Sequence, residues 1–451
     1  MKRFMSLALV GALSLSLLAG CGPKEPAEGS ASGSAAGSQP AAESIQVAVL
    51  QSAYMDKHPD MWKDVCDAFT AQTGIKVDLV ADKQLEAVIG PQIKSGKSPD
   101  FVHLAMGRPD AMTETFIKDN ALAEVTDVLD MKIPGEEVTV KEKMSKGFTD
   151  STTTNPYGDG KTYLAPMFYG PCGLFYNAGL LKEKGWEVPT TWDEMWELGD
   201  KAKAEGIALF TYPTTGYLQE FTFSLIYAVG GPELFDKITG YEEGVWESEQ
   251  GQQVLEILAK LATYTEASVP ANANNQDFTK NQQLILDNKA IFCPNGTWLP
   301  GEMADAPRAD GFEWGMTAIP AVAEGGDAYA FAWIEQAWIP ASAPHLNEAK
   351  QFMAFMYSDA AAKIFAEAGA IQPIQGLAET LEGENAMFYS IYETGAKAAM
   401  GGWAATDAVE GVNMGETLFG SVNSLVSGNL SVADWTKAIV EANNALRAAK
   451  K

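Results

Sequence analysis

The sequence has few of the residues from which catalytic and metal sites are most often built. It contains three histidines and four cysteines in 451 residues. His58, His103 and His345 show neither HxH nor HExxH spacing, which argues against a zinc site. The chain also lacks a GxSxG elbow, a P-loop and a GxGxxG fingerprint, the motifs of common hydrolases, NTPases and dinucleotide-binding enzymes. We therefore expect no catalysis, no cofactor and no metal.

Two weaker signals leave part of this expectation open. Asp159 and Gly160, within 155–161, hint at a calcium loop, but the segment lacks the repeated acids and the terminal Glu of such loops, so we expect a turn. Two carboxylates that hydrolyse a glycoside need only lie close in space. A glycan-active enzyme therefore stays an alternative.

Basic residues are also scarce, with 32 Lys and Arg against 59 Asp and Glu. A surface of this charge repels phosphate backbones and anionic lipid headgroups. The composition argues against nucleic-acid binding and against peripheral attachment to a membrane. Such a composition is typical of an exported protein whose acidic surface keeps it soluble. It does not by itself indicate a cationic ligand.

The first residues have the pattern of an export signal. Lys2 and Arg3 precede an apolar stretch, Phe4–Leu18, that is too short to span a membrane. Residues 18–21, Leu-Ala-Gly-Cys, resemble the bacterial lipobox, in which the cysteine is lipidated and becomes the new N-terminus. We expect a signal peptide at 1–20 and a lipidated, disordered Gly/Ser/Pro-rich tether at 21–44. The protein would then be anchored outside the cell membrane by Cys21. The alternative is an ordinary secretory signal with a chance cysteine.

The remaining cysteines do not form a disulfide framework. Cys66, Cys172 and Cys293 are more than a hundred residues apart. They can form at most one disulfide, and free buried thiols are expected.

Hydrophobic periodicity predicts alternating strands and helices from residue 45 onward. Strand, helix, strand, helix and strand in this order imply a parallel sheet with right-handed crossovers. In such a sheet, ligands meet the loops at the carboxyl ends of the strands, here Gln51–Tyr54 and Met106–Arg108. The predicted elements are 45–50, 60–72 (closed by Gly74), 75–80, 85–94 and 101–105.

The same reasoning continues through the middle of the chain. Thr191 and Glu194 form a predicted capping box, which begins a helix over 192–205 that Gly206 closes. The other predicted elements are strands at 174–177 and 207–210 and helices at 180–184 and 252–263.

Four segments, in order, resemble the family 1 extracellular solute-binding proteins, the carbohydrate-binding lipoproteins of ABC importers related to the maltose-binding protein. They are Gly160–Asn177, Trp186–Met195, Lys289–Trp298 and Glu348–Tyr357. The resemblance extends over nearly all of 45–451. Residues 295–298 and 330–335 are most similar to importers of N-acetylglucosamine and chitobiose.

The resemblance implies an α/β, periplasmic-binding-protein-like fold with two lobes, a hinge and a ligand cleft between the lobes. Lobe 1 would comprise 45–165 plus 338–385, and lobe 2 would comprise 166–337 plus 386–451. The chain would cross between lobes near 165–169 and 331–337. The partners would be a mono- or oligosaccharide and ABC permease subunits, and the protein is expected to be a monomer.

A sugar needs an aromatic ring beneath its C–H face and planar polar groups around its hydroxyls. On this chemistry and on the resemblance we expect Trp298, after a strand in a Pro-Asn-Gly turn, to be the stacking platform. Phe331, Trp333 and Glu335 would share one face of a strand. The predicted ligand-binding residues are Tyr54, Met106, Arg108, Phe168, Tyr169, Tyr217, Gln219, Glu220, Asn295, Trp298, Trp333, Glu335 and Trp403.

Some of these residues have alternative roles. Arg108 can form a surface salt bridge, Glu335 can hydrogen-bond within the hinge, and Trp403 can pack in the core. Trp338 is ambiguous. Five tryptophans within helical patterns are expected in the core: Trp62, Trp192, Trp196, Trp246 and Trp435. The same fold could also bind a peptide, a polyamine or a metal.

Overall fold

The computed structural model describes residues 44–450 except 53, 107, 109, 110, 146, 150, 152, 393 and 405. The predicted signal peptide, the lipidation site at Cys21 and nearly all of the tether lie outside the described residues. The described residues cluster as one unit. No helix among the described residues combines the length and apolar character needed to cross a membrane.

Strands and helices alternate along the chain. The strands are β1 Ser44–Leu50, β2 Lys76–Asp82, β3 Phe101–His103, β4 Leu164–Asn177, β5 Ala208–Phe210, β6 Ala290–Gly296, β7 Trp314–Thr317, β8 Tyr329–Trp338 and β9 Lys397–Ala399. The helices are α1 Tyr54–Lys57, α2 Met61–Thr73, α3 Leu85–Lys94, α4 Met112–Lys118, α5 Thr126–Leu129, α6 Val140–Lys143, α7 Ala178–Lys184, α8 Trp192–Ala204, α9 Leu218–Thr239, α10 Glu249–Ala262, α11 Val269–Asn272, α12 Phe278–Leu286, α13 Leu299–Glu302, α14 Leu346–Phe355, α15 Asp359–Glu367, α16 Gly383–Tyr389, α17 Val422–Val426 and α18 Val432–Ala448.

The strands pair in the order β2-β1-β3-β8-β4-β6-β5, with β7 beside β4 and β9 beside β8. β1 pairs in parallel with β2 and β3, which confirms the parallel arrangement predicted for the first part of the chain. β8 runs antiparallel to both β3 and β4. The two predicted crossings, 165–169 and 331–337, are therefore adjacent strand segments, with Ala165 opposite Ala337 and Tyr169 opposite Ile334.

Several predicted elements are confirmed in detail. Helix α2 ends at Gly74, which has the left-handed backbone conformation (φ 81°) that glycine adopts without strain. Thr191 caps α8, and its hydroxyl accepts a hydrogen bond from the Glu194 N–H. One local prediction is wrong. Pro294, Asn295 and Gly296 do not form a turn but are the last residues of β6, because they pair with the long strand β4.

Two large apolar clusters surround the sheet. One contains Trp62, Phe168 and Phe365, and the other contains Phe223, Trp246 and Trp435. The first cluster also includes Ile285 and Trp314, from the segment predicted as lobe 2. The lobe boundaries stay a prediction.

The tryptophans predicted in the core are Trp62, Trp192, Trp196, Trp246 and Trp435. All are buried except Trp196, which is half-buried and stacks on Tyr264. Trp338 is fully buried, and its indole N–H donates to the Leu104 carbonyl.

The capping box of α8 can be tested by mutation. Thr191→Ala removes the acceptor for the Glu194 N–H, so we expect the free energy of unfolding to fall by about 1 kcal/mol. Thr191→Ser keeps a hydroxyl at the cap and should retain most of the stability. Denaturant unfolding of both variants measures the difference, and an equal loss in the two would show that the hydroxyl is not responsible.

Candidate ligand-binding site

A cavity of about 250 Å³ lies where β4, β6, β8 and the start of α9 meet. Twelve residues line it, and five of them are among the predicted ligand-binding residues: Tyr217, Glu220, Asn295, Trp298 and Trp333. These five residues come from segments more than a hundred positions apart at the extremes. The fold brings them to one place because β6 and β8 both pair with β4.

Trp298 lies at the cavity, and its ring is close to the backbone of two glycines, Gly296 and Gly170. β6 ends at Gly296, and Trp298 then precedes α13. A Cβ added at Gly296 would lie 2.2 Å from the Trp298 ring, and one added at Gly170 would lie 3.9 Å from it. The indole therefore rests against backbone that carries no side chain. It is 38% exposed, so one part of the ring is free to meet a ligand.

Trp333 is a second exposed indole at the same cavity. It lies on β8 opposite Gly170 of β4 and is 41% exposed. Phe331 and Glu335, two residues away on either side in the same strand, pair with Cys172 and Phe168.

The start of α9 supplies polar groups. A 3₁₀ turn, Thr215–Tyr217, leads directly into the helix. The Trp298 indole hydrogen-bonds the Tyr217 hydroxyl, and burial raises the pKa of Tyr217 to about 12. Burial also raises the pKa of the Glu220 carboxyl to about 7, because desolvation disfavours its charged form. No Lys or Arg is among the described residues that line the cavity.

Asn295 presents an unsatisfied donor. It is 3% exposed, and its side-chain oxygen accepts from the Gly296 N–H. Its Nδ2 has no hydrogen-bond acceptor among the described residues, apart from an interaction with the weakly accepting sulfur of Cys293. A buried amide N–H without a partner costs about 1–3 kcal/mol. A ligand oxygen in the cavity would relieve this cost.

A second group of predicted residues surrounds Glu335. The Tyr54 hydroxyl donates to the Glu335 carboxyl, and the Tyr54 ring lies edge-on to Phe168 at 5.5 Å. Burial raises the pKa of Glu335 to about 7, while the Tyr54 hydrogen bond and the charge of Arg108 act in the opposite direction. Burial is also the main cause of the raised pKa of Tyr54.

Tyr389 connects this group to the cavity. Its hydroxyl donates to the Tyr169 carbonyl at 3.0 Å and hydrogen-bonds Thr297, the residue before Trp298. The charge of Glu335 also acts on Tyr389. Tyr169 is buried and packs edge-on against the Tyr389 ring.

The other predicted residues are not among those that line the cavity. Met106 donates its backbone N–H to the Gln336 side chain at 3.2 Å. Arg108 forms a two-point ion pair with Glu86, which is the salt-bridge alternative for this residue. Gln219 is half-buried in the first turn of α9. Trp403 stacks on Tyr241, with ring centroids 5.8 Å apart.

Several lining residues were not predicted from the sequence. Cys172, Gly173, Thr214, Phe221, Pro294 and Ile319 all face the cavity. Phe221 is next to Glu220 and Pro294 is next to Asn295 along the chain, and that proximity was an available signal. No sequence signal pointed to Ile319, because an isolated apolar residue in a sequence can equally pack in a core or line a pocket.

Cys66, Cys172 and Cys293 are free and buried, as expected. Burial raises the pKa of all three thiols. Among the described residues there is no group of three or more His, Cys, Asp or Glu that could hold a metal ion.

Comparison with known proteins gives related sequences of one kind. The diacetylchitobiose binding protein NgcE of Streptomyces coelicolor is 25% identical over 281 residues, which cover 62% of this chain and 57% of that protein. The galactooligosaccharide-binding protein of Bacillus subtilis is 24% identical over 377 residues, with 79% of this chain and 77% of that protein covered. The matched segments span only about half of the first curated relatives, 57% of NgcE and 47% of a multiple sugar-binding protein of Streptococcus mutans.

Solved structures share the fold. The apo form of RafE from Streptococcus pneumoniae superposes with a TM-score of 0.67 at 17% identity, covering 91% of this chain and all (100%) of that one. A chitin oligosaccharide binding protein gives 0.61 at 18% identity, covering 90% and 99%. The predicted α/β, periplasmic-binding-protein-like fold class is confirmed.

The profile of the family described as bacterial extracellular solute-binding protein matches residues 64–382. This match covers more than half of the chain and agrees with the family that the four sequence segments indicated. The chain therefore belongs to the bacterial extracellular solute-binding proteins.

Proposed function

We propose that the protein captures a sugar or oligosaccharide in the cavity beside Trp298 and delivers it to an ABC importer. The observation that carries the proposal is the pair of exposed indoles, Trp298 and Trp333, at one cavity with Glu220 and Asn295. Indole faces stack on the C–H face of a pyranose, and the carboxylate and amide groups hydrogen-bond its hydroxyls. Curated relatives named as sugar-binding proteins support the same interpretation.

An N-acetylated sugar is the first candidate. NgcE is named for diacetylchitobiose, and the cavity combines apolar walls at Phe221, Pro294 and Ile319 with the carboxyl group of Glu220. An acetamido group has a methyl group that can pack against these apolar side chains and an N–H that can donate a hydrogen bond to a carboxylate.

The remaining parts of the proposal concern the protein's setting. Lipidated Cys21 would hold the protein outside the cell membrane, and the 21–44 tether would keep it near its permease. The protein would act as a monomer and would have no catalysis of its own. The two proposed lobes would close on the sugar, and the permease would recognise the closed form.

A thermal-shift screen tests the ligand class. A ligand that binds the folded state raises the melting temperature, so N-acetylglucosamine, diacetylchitobiose, maltose, xylo-oligosaccharides and manno-oligosaccharides are compared. A shift with at least one sugar is expected, and no shift with any of them would contradict the proposal. The same incubations, analysed for products, test the alternative of a glycan-active enzyme, since any hydrolysis contradicts a binding role without catalysis.

Trp298→Ala should weaken binding of the sugar found in the screen by roughly tenfold, because the lost aromatic contact contributes on the order of 1.4 kcal/mol. The melting temperature should change little, because the indole is 38% exposed. Calorimetric titration measures the affinity. Trp246→Ala, at a residue 1% exposed, is the contrasting variant and should lower the melting temperature strongly. Normal binding by Trp298→Ala would exclude a stacking role.

Gly296→Ala tests the support beneath the indole. The new Cβ would lie 2.2 Å from the Trp298 ring, so the ring must move and affinity should fall severalfold. Gly301→Ala is the matched control, because a Cβ there meets nothing within 4 Å. Equal affinities of the two variants would show that the position of the ring does not matter for binding.

The anchor is tested separately. Wild type should incorporate radiolabelled palmitate and enter the detergent phase of a phase-separation assay, whereas Cys21→Ser should do neither. Labelling of the Cys21→Ser variant would indicate that lipid is attached elsewhere.

A further inference from the structure

His103 is a buried histidine that lies outside the cavity of the proposed site. It is 1% exposed, and neither ring nitrogen has a hydrogen-bond partner among the described residues. Burial lowers its pKa to about 3, so the imidazole is neutral at physiological pH. Its ring packs against the Trp62 and Phe168 rings, each with its centroid 5.1 Å away.

The sheet places this imidazole beside Glu335. β3 and β8 are antiparallel, and His103 pairs with Ala337. Glu335 is two residues from Ala337 and therefore points to the same face, as a diagonal neighbour of His103. His103 Nε2 lies 3.5 Å from Glu335 Oε2. The backbone register, and not a chance side-chain contact, thus sets the pair.

The distance between His103 Nε2 and Glu335 Oε2 is slightly longer than that of a hydrogen bond, which leaves a small gap between the two atoms. N–H···O hydrogen bonds are about 2.7–3.2 Å long between heavy atoms, so the two atoms are just too far apart at 3.5 Å. A buried donor without an acceptor costs about 1–3 kcal/mol. A small movement of the Glu335 side chain would remove this cost without displacing any strand.

We propose that His103 is a positioning residue for ligand capture, donating its Nε2–H to the Glu335 carboxylate so that this group can accept a sugar hydroxyl. The proposal rests on the proposed sugar-binding function. The Tyr54 hydroxyl is the second donor to the same carboxylate. Two donors on one carboxylate restrict its rotation and favour its ionised form. The gap between His103 and Glu335 closes by a small movement of the Glu335 side chain when its carboxyl group ionises, before any ligand binds.

Among the described titratable groups at this place, Glu335 is the group whose ionisation changes near neutral pH. Tyr54 and Tyr389 have raised pKa values and stay neutral, as does His103. Arg108 is cationic and paired with Glu86. Burial raises the pKa of Glu335 to about 7. Because a sugar hydroxyl donates to the ionised form, affinity should be high above this pH and fall as the pH decreases through it.

The pairing is tested first without ligand. The carboxyl carbon of Glu335 is followed by ¹³C NMR between about pH 4 and pH 9 and is assigned by its absence in Glu335→Gln. His103→Leu removes the donor and should raise the titration midpoint by about one pH unit. His103→Met, also without a donor, should behave in the same way. His103→Gln supplies an amide N–H and should keep the midpoint closer to that of wild type.

The ligand is tested second, with diacetylchitobiose as the probe. Ionisation of Glu335 should contribute about a tenfold fall in wild-type affinity from pH 8 to pH 6, as expected for a group with a pKa of about 7 that must be ionised. The His103→Leu profile should shift to higher pH, and Glu335→Gln should lose this contribution. Glu220→Gln is the control for the other carboxyl with a pKa of about 7 and should keep the part of the profile that Glu335 supplies.

The two measurements separate the two ideas. An unchanged midpoint in both His103→Leu and His103→Met would overturn the positioning role whether or not any sugar binds. A shifted midpoint with an unchanged affinity profile would overturn it as well, because the pairing would then not serve the ligand. Failure of every sugar in the thermal-shift screen would instead contradict the proposed function.

Discussion

The antiparallel pairing of β4 with β8 is the constraint on which the site depends. It places Phe168 opposite Glu335, Gly170 opposite Trp333 and Cys172 opposite Phe331. Each of these pairs has a different environment, respectively a partly buried carboxyl, an exposed indole and the apolar core. A slip of one residue would turn Trp333 and Glu335 to the opposite face. The register thus determines which side chains meet a ligand.

Glycine is the second element of this arrangement. Gly296 leaves the space in which the Trp298 ring lies, Gly170 is within contact distance of the same ring, and Gly170 also pairs with Trp333. A platform for a sugar must be both exposed and held in place, since an indole that moves freely loses entropy on binding. Backbone without side chains provides the support while leaving the ring partly open to solvent.

The electrostatics of the site follow mainly from burial. Glu220 and Glu335 both have a pKa near 7 because desolvation disfavours their charged forms. The chain as a whole is strongly acidic, but that composition does not predict which carboxyl is perturbed. Most acidic residues are exposed on the surface. Glu220 and Glu335 differ from them because the surrounding strands and helices exclude water from their carboxyl groups.

Local sequence determined the elements whose stabilising interactions are local. The Thr191–Glu194 capping box and the Gly74 helix end depend on residues within one turn, so they could be predicted. The chemistry of sugar recognition and the family resemblance also singled out Trp298, Trp333, Glu220 and Asn295 from the amino-acid sequence alone, and these four residues line one cavity. The Pro294–Gly296 turn was wrong because pairing with β4 overrides the turn preference of those residues. Other features depend on residues more than a hundred positions apart in the chain. Gly170 contacts the Trp298 ring, Ile319 lines the same cavity as Cys172, and His103 approaches Glu335. Such contacts arise from strand order and register, and therefore only from the tertiary structure.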